Sequence, residues 1–175
     1  MLLNPPGTEI WFRDGYCSSS SKSGYCWHPL DLLVQSGILA GRGHEVAMVD
    51  AIALSLTAER TLSRIQAFKP DAVIGLAGDV SWPEDVRFFR RLSNVKDAPR
   101  LMLSGDVPRF ESDKAFSEIP ALEAVITDFI TPAAALLLEE GAEAAKAAGG
   151  IHLRGCEASP LSGRTWSSAP ARHDL

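Results

Sequence analysis

Three aspartates, Asp79, Asp106 and Asp128, each stand just past a short apolar run, among small and hydroxyl residues: Gly75, Gly78 and Ser81, then Ser104 and Gly105, then Thr131. Carboxylates so placed can hold a metal or accept a phosphoryl group. Glycines beside them let the backbone come close to a bulky ligand. Ser81 and Thr131 stand where helices are expected to begin, an end that favours anions and that the same hydroxyls serve as ordinary caps. Asn4-Pro5-Pro6 follows Leu2-Leu3 in the same way. Between residues 8 and 29 lie Trp11, Tyr16, Tyr25, Trp27 and His28, with Cys17 and Cys26. The aromatics suit covering a flat ligand or packing the segment on a sheet. His28 suits a surface role better than a metal ligand, and His44, in a Gly-His-Glu turn, a structural one. Cys17, Cys26 and Cys156 are an odd set with wide spacing. They match neither a zinc motif nor a disulfide framework, which leaves free thiols in a reducing cytoplasm.

The elements that must position these residues alternate. Pro29 opens a helix whose Leu32, Leu33, Leu39 and Ala40 recur at helical spacing, closed by Gly41 and Gly43. Val46–Val49 reads as a buried strand ending at Asp50, and Thr57 caps a helix with Leu62, Ile65 and Phe68 on one face, stopped at Lys69-Pro70. Ala72–Leu76 is apolar throughout, as a parallel strand covered on both faces should be. Ser81-Trp82-Pro83-Glu84 predicts a capping box ahead of a helix to about Leu92. Leu101–Leu103 and Ala124–Ile126 read as further strands, Asp113–Ile119 as a short helix, and Thr131-Pro132 as the start of the last one. Leu2-Leu3 is a short first strand, and residues 8–29 read as a long loop.

Strands alternating with helices predict right-handed crossovers and an α/β fold: a doubly wound, flavodoxin-like (Rossmann-like) parallel sheet of five strands in the order 2-1-3-4-5, in three α/β/α layers. Ligands of such sheets sit at the carboxyl ends of the strands, which gathers Asn4, Pro5, Pro6, Gly75, Gly78, Asp79, Ser81, Ser104, Gly105, Asp106, Asp128 and Thr131 into one candidate cofactor site. Residues 1–140 form the expected domain. Residues 141–175, Ala- and Glu-rich and then Ser-, Pro- and Arg-rich, read as a linker and disordered tail. The 175 residues are 46% hydrophobic and 22% charged with a net charge of −5. That balance fits a globular protein and gives no basic field for nucleic acid. No apolar run reaches the roughly 18 residues of a membrane span, and the N-terminus lacks the pattern of a signal peptide. The expected setting is cytoplasmic, with neither membrane nor nucleic-acid partners.

Leu2-Leu3-Asn4-Pro5-Pro6, His28-Pro29-Leu30-Asp31-Leu32-Leu33, Leu39–Val46, Val49-Asp50-Ala51 and Phe68-Lys69-Pro70-Asp71-Ala72-Val73 follow one another as in the N-terminal cobalamin-binding domain of radical SAM enzymes. The chain resembles that family over roughly residues 1–137. The resemblance implies cobalamin as a small-molecule cofactor, at the strand ends named above. The family's Gly-Gly after the fourth strand is Ser104-Gly105 here, and its Gly-Glu-Gly after the fifth is replaced by Asp128-Phe129-Ile130-Thr131. No Asp-x-His-x-x-Gly supplies a cobalt-ligating histidine. No Cys-x-x-x-Cys-x-x-Cys supplies an iron–sulfur cluster. The resemblance therefore implies a binding module that is not catalytic alone, its partner a radical SAM domain of a parent protein or of another chain. Two other readings stand beside it. One is a flavodoxin-like domain that binds a metal or nucleotide through Asp79 and Asp106, as in response-regulator receivers. It lacks the receivers' acidic pair after the first strand and their lysine after the fifth. The other is a degenerate interaction domain with no cofactor.

Overall fold

The computed structural model describes residues 1–155. Its main sheet has six strands: β1 (Leu2–Asn4), β4 (Met48–Asp50), β5 (Ala72–Leu76), β6 (Arg100–Ser104), β7 (Leu122–Ile126) and β8 (Ile151–Leu153). They lie in the order β4-β1-β5-β6-β7-β8. The first five are mutually parallel, and β8 runs antiparallel to β7. Counting only the parallel strands, the second lies outside the first and the rest follow in sequence. The fold is thus α/β with a mainly parallel sheet, compatible with a Rossmann-like arrangement, and the expectation of five strands is corrected to six. The sixth comes from residues expected to be linker. After α6 (Ala133–Glu139), helix α7 (Ala142–Ala148) and β8 continue the fold. Ala145, Ile151 and Leu153 are buried in the core. Five alanines make α7 a good helix former, and Ala145 alone is buried, so a weak apolar stripe sufficed. Residues 156–175, including Cys156 and most of the expected tail, lie outside the described residues.

Successive side chains of a strand point to opposite faces, and the core divides accordingly. Leu3, Val73, Leu101, Leu103 and Val125 pack with Ile65 of α2 (Ala58–Phe68), Phe88 and Phe89 of α3 (Trp82–Ser93) and Ala115 of α5 (Ser112–Glu118). Leu2, Ile74, Leu76, Met102, Ala124 and Ile126 pack with Leu32 and Leu39 of α1 (Leu30–Gly41) and with Ala133–Ala135 of α6. Helices thus cover both faces. Among the described residues no helix is long and apolar enough to cross a membrane.

Local chemistry sets the helix ends. Thr57 accepts the N–H of Arg60 at the start of α2, and Lys69 closes that helix in the left-handed region, with φ 52°, ahead of Pro70. The capping box expected at Ser81 and Glu84 is absent. The Ser81 hydroxyl turns inward to Asp85, at 2.7 Å, instead of capping the helix. The Glu84 carboxylate accepts the Thr8 N–H and hydroxyl and the Trp11 indole N–H. A further short helix, α4 (Asp106–Phe110), was not expected.

Residues 8–29 are not one irregular loop. β2 (Trp11–Asp14) and β3 (Cys17–Ser20) form an antiparallel hairpin in which Asp14 pairs with Cys17 across a two-residue turn, Gly15-Tyr16. The hairpin lies against the carboxyl edge of the main sheet, and that placement decides the geometry of the site.

Candidate functional site

The carboxyl edge has two sides. On the α3 side the hairpin delivers Arg13, which is 1% exposed. Its guanidinium meets Asp85 with Nη2 to Oδ1 at 2.9 Å and Nε to Oδ1 at 3.0 Å. It also donates to the Asn4 side chain at 2.9 Å, to the Pro5 carbonyl at 3.0 Å, to the Pro6 carbonyl at 3.3 Å and to the Ser81 hydroxyl at 3.1 Å. Asp85 in turn accepts the Gly78 N–H and the Ser81 hydroxyl. Burial pushes the Asp85 carboxyl up, to about 6, against the pull of Arg13. Every guanidinium nitrogen has a partner, as a charge removed from water requires. This network gathers Asn4, Pro5, Pro6, Gly78 and Ser81, and what they surround is the chain's own arginine.

The glycines of this side follow the same logic. A Cβ on Gly78 would stand 2.9 Å from the Ser18 hydroxyl and 3.2 Å from Arg13 Cγ. One on Gly105, whose φ is +119°, would collide with the Ala77 carbonyl and stand 2.6 Å from the Arg13 carbonyl. Gly75 is not at the edge at all. It lies within β5, and its missing side chain is replaced by the Phe89 ring. The space these residues leave is therefore filled from within, and the groove expected between residues 75–81 and 104–106 is occupied by hairpin backbone and Arg13. Asp106 accepts its own Val107 N–H and the Asp79 N–H at 2.9 Å, which fastens the start of α4. Among the described residues there is no cluster of three His, Cys, Asp or Glu able to hold a metal. Beyond this network, a hollow of about 550 Å³ opens between the loop after β1, the turn after β4 and α3, with Ile10, Leu56, Thr57, Arg87 and Phe88 in its lining.

The α1 side is built differently. Asp31 and Gln35, one turn apart on the buried face of α1, are both 0% exposed. One Asp31 oxygen, Oδ2, accepts the Gly15 N–H at 3.1 Å and the Ser104 hydroxyl at 3.0 Å. The amide of Gln35 donates to the Phe129 carbonyl at 2.6 Å and to the Thr131 carbonyl at 3.0 Å. The other oxygen of each residue, Asp31 Oδ1 and Gln35 Oε1, is buried with no hydrogen-bond partner. Asp14, also buried, accepts the Asp31 N–H at 3.2 Å. Burial above all, with the Asp31 charge beside it, pushes Asp14 up to about 6. Burial likewise raises Asp31, opposed by the Gly15 and Ser104 hydrogen bonds and by the Arg109 charge. Thr131 accepts the Ala133 N–H and donates to the Gly149 carbonyl, and Asp128 accepts the Ile130 N–H. Ser104, Thr131 and Asp128 thus belong to this side of the edge, apart from the Arg13 network.

Above these groups runs an aromatic rim. The Tyr16 and Phe129 rings lie 6.5 Å apart, and those of Tyr25 and Trp27 6.0 Å apart. Tyr16, Tyr25, Trp27, Phe110 and Ile130 are each more than half exposed. Cys17 and Cys26 are exposed free thiols. His28 is exposed and makes no hydrogen bond, while His44 sits remote from the edge, 2.8 Å from Glu139.

Sequence reasoning missed Arg13, Asp85, Asp31 and Gln35. The last two left a usable signal: polar residues at i and i+4 on the same face as Leu32 and Leu39, where burial was already expected. Arg13 and Asp85 left none, because 72 residues separate them. A scan against protein-family models and searches of curated proteins and of solved structures found no match to this chain.

Proposed function

We propose that this chain is a cobalamin-binding module with the flavodoxin-like order, of the kind that forms the N-terminal domain of cobalamin-dependent radical SAM enzymes. Its ligand is received on the α1 side of the carboxyl edge. The observation that carries the reading is the aromatic rim. Five large apolar side chains are more than half exposed, four on loops and Phe110 at the end of α4, at the edge where doubly wound sheets take ligands. Exposed apolar groups clustered in that way mark binding surfaces. The two sides of the edge differ in their fit. The α3 side is closed by Arg13 and leaves no room between the strand-end glycines. On the α1 side a flat macrocycle can lie on rings, while Asp31, Gln35, Ser104 and Thr131 stand beneath it to meet polar substituents.

Bound cobalamin supplies a redox-active cobalt. The residues of this chain bind the cofactor, cover one face of it and keep water from that face. Without a three-cysteine motif, the chain would rely on a radical SAM domain elsewhere for the cleavage of S-adenosylmethionine. The test is titration with hydroxocobalamin, followed by absorbance and by co-elution on gel filtration. Saturable binding at one equivalent, weakened severalfold in Tyr16→Ala/Trp27→Ala, is expected. A spectrum unchanged by the protein, with free cobalamin eluting alone, defeats the proposal.

A further inference from the structure

Resting on the cobalamin reading, we infer that Asp31 and Gln35 form a recognition site for a primary amide of the bound ligand, and so select neutral, amide-bearing corrinoids over those carrying a carboxylate. The inference begins from the two unpartnered oxygens. Buried polar atoms nearly always have partners, and each exception calls for an explanation. Among the described residues there are three exceptions: the Ser18 hydroxyl on the hairpin, and two on successive turns of one helix face, Asp31 Oδ1 and Gln35 Oε1.

Their orientation is fixed. Turning the Gln35 amide over would set its oxygen against the Phe129 and Thr131 carbonyls, which now receive its N–H groups. Two carbonyls on one side force the oxygen to the other. Asp31 is held at its far oxygen by the Gly15 N–H and the Ser104 hydroxyl. Gln35 Oε1 is therefore an acceptor, and so is Asp31 Oδ1 when Asp31 is ionised; what completes that pair must donate. A cation is a poor candidate, because the Arg109 charge already acts on Asp31. A Cβ placed on Gly15 would lie 3.6 Å from Arg109 Nη1 and 3.4 Å from Asp31 Oδ2, which puts the guanidinium at the same turn. A neutral N–H donor remains, and a primary amide carries two such hydrogens. The segments that lock the two side chains, Gly15-Tyr16 and Phe129, also carry rings of the aromatic rim. On this inference the macrocycle lies on the rings, and an amide arm reaches the two buried oxygens by parting Tyr16 and Phe129.

A site built around acceptors discriminates strongly against a ligand that cannot donate to it. The test compares hydroxocobalamin with its isomeric monocarboxylic acids, in which one propionamide has been hydrolysed, by absorbance titration of the wild-type chain and of Asp31→Asn. We expect at least one isomer to bind the wild type tenfold or more weakly than hydroxocobalamin, as the loss of a hydrogen bond and the facing of two acceptors imply. Asp31→Asn, which puts a donor in place of one acceptor, should reduce that ratio to threefold or less. Equal binding of all isomers to the wild type overturns the inference, and this arm needs no variant to fold. So does full discrimination retained in a folded Asp31→Asn. In either case cobalamin binding itself stands. Failure of the wild type to bind any corrinoid instead removes the cobalamin reading, and the amide site with it.

Discussion

The two sides of the carboxyl edge hold the same materials and use them oppositely. On the α3 side a buried carboxylate, Asp85, meets a guanidinium, a hydroxyl and a backbone N–H, and each nitrogen of the guanidinium is answered, with only the nearby Ser18 hydroxyl left without a partner. On the α1 side a buried carboxyl, Asp31, and a buried amide, Gln35, are each answered at one end and open at the other. Desolvation costs both sides comparably, so the contrast lies in what offsets the cost. A fully paired network fixes one arrangement of the chain and offers a ligand nothing. A half-paired one holds its side chains in place and keeps acceptors in reserve. The comparison places structure on the α3 side and recognition on the α1 side, although the strand-end glycines all but invite the opposite assignment.

The comparison breaks most readily at Arg13. Arg13→Met leaves Asp85 buried without its partner, which costs about 3–5 kcal/mol whether the carboxyl stays ionised or takes up a proton. That is a large fraction of the roughly 5–15 kcal/mol that holds a domain folded. Arg13→Met/Asp85→Leu removes both charges and should lose less than Arg13→Met alone. Urea denaturation of the three proteins measures this. If Arg13→Met unfolds within 1 kcal/mol of the wild type, the α3 side is not the structural half.

That pair also shows where the sequence stopped being legible. The strand Ala72–Leu76 was read to the residue because a continuous apolar run between turn signals is a local statement, as was α1, opened by Pro29 and closed by glycines. The hairpin was missed because Cys17-Ser18-Ser19-Ser20 has no apolar alternation. What holds the hairpin in place is Arg13, whose partner Asp85 is distant in sequence. β8 was missed for another reason. Three residues, Ile151–Leu153, are too short to show a period, and only the neighbouring β7 makes them a strand. The site followed the same division. The sequence located the edge, since strand ends can be counted. It could not tell an open groove from a filled one, because the filling comes from a segment with no signature of its own.

A smaller effect sharpens the contrast at Gly105. If the glycine served a ligand, Gly105→Ala would leave the unliganded fold unchanged and weaken only binding. The structure puts a new Cβ against the Ala77 and Arg13 carbonyls at a φ of +119°, a conformation that side chains rarely adopt. Gly105→Ala should therefore destabilise the chain without ligand by about 1–3 kcal/mol, from crowding and backbone strain together. Thermal unfolding followed by circular dichroism decides it, and an unchanged midpoint would show that the hairpin does not fill the groove.

The smallest expected effect concerns the proton balance of the whole carboxyl edge. Asp14 and Asp85 are pushed up to about 6 and Asp31 is raised as well, each chiefly by burial. A carboxyl whose native pKa lies above its unfolded value, roughly 4, keeps its proton in the fold after the unfolded chain has released it. Its contribution to stability is complete below pH 4 and is lost as pH rises through the native value. Glu139, held near 2 by Arg42 and His44, works the other way, but only below about pH 4.5. Stability should therefore fall between pH 4 and 6 and level off above. Asp31→Asn removes one of the three carboxyls while keeping an oxygen for the Gly15 N–H and the Ser104 hydroxyl. It also sets an N–H donor one turn from Gln35 Oε1. The variant should lie within about 1 kcal/mol of the wild type at pH 7, on the stable side if the donor reaches Gln35, and its stability should fall less steeply from pH 4 to 6. Urea midpoints at pH 4.5, 5.5 and 7 test both statements. A loss of 3 kcal/mol or more at pH 7 would mean that Asp31 is as fully committed to the fold as Asp85, and the two sides of the edge would no longer differ in kind.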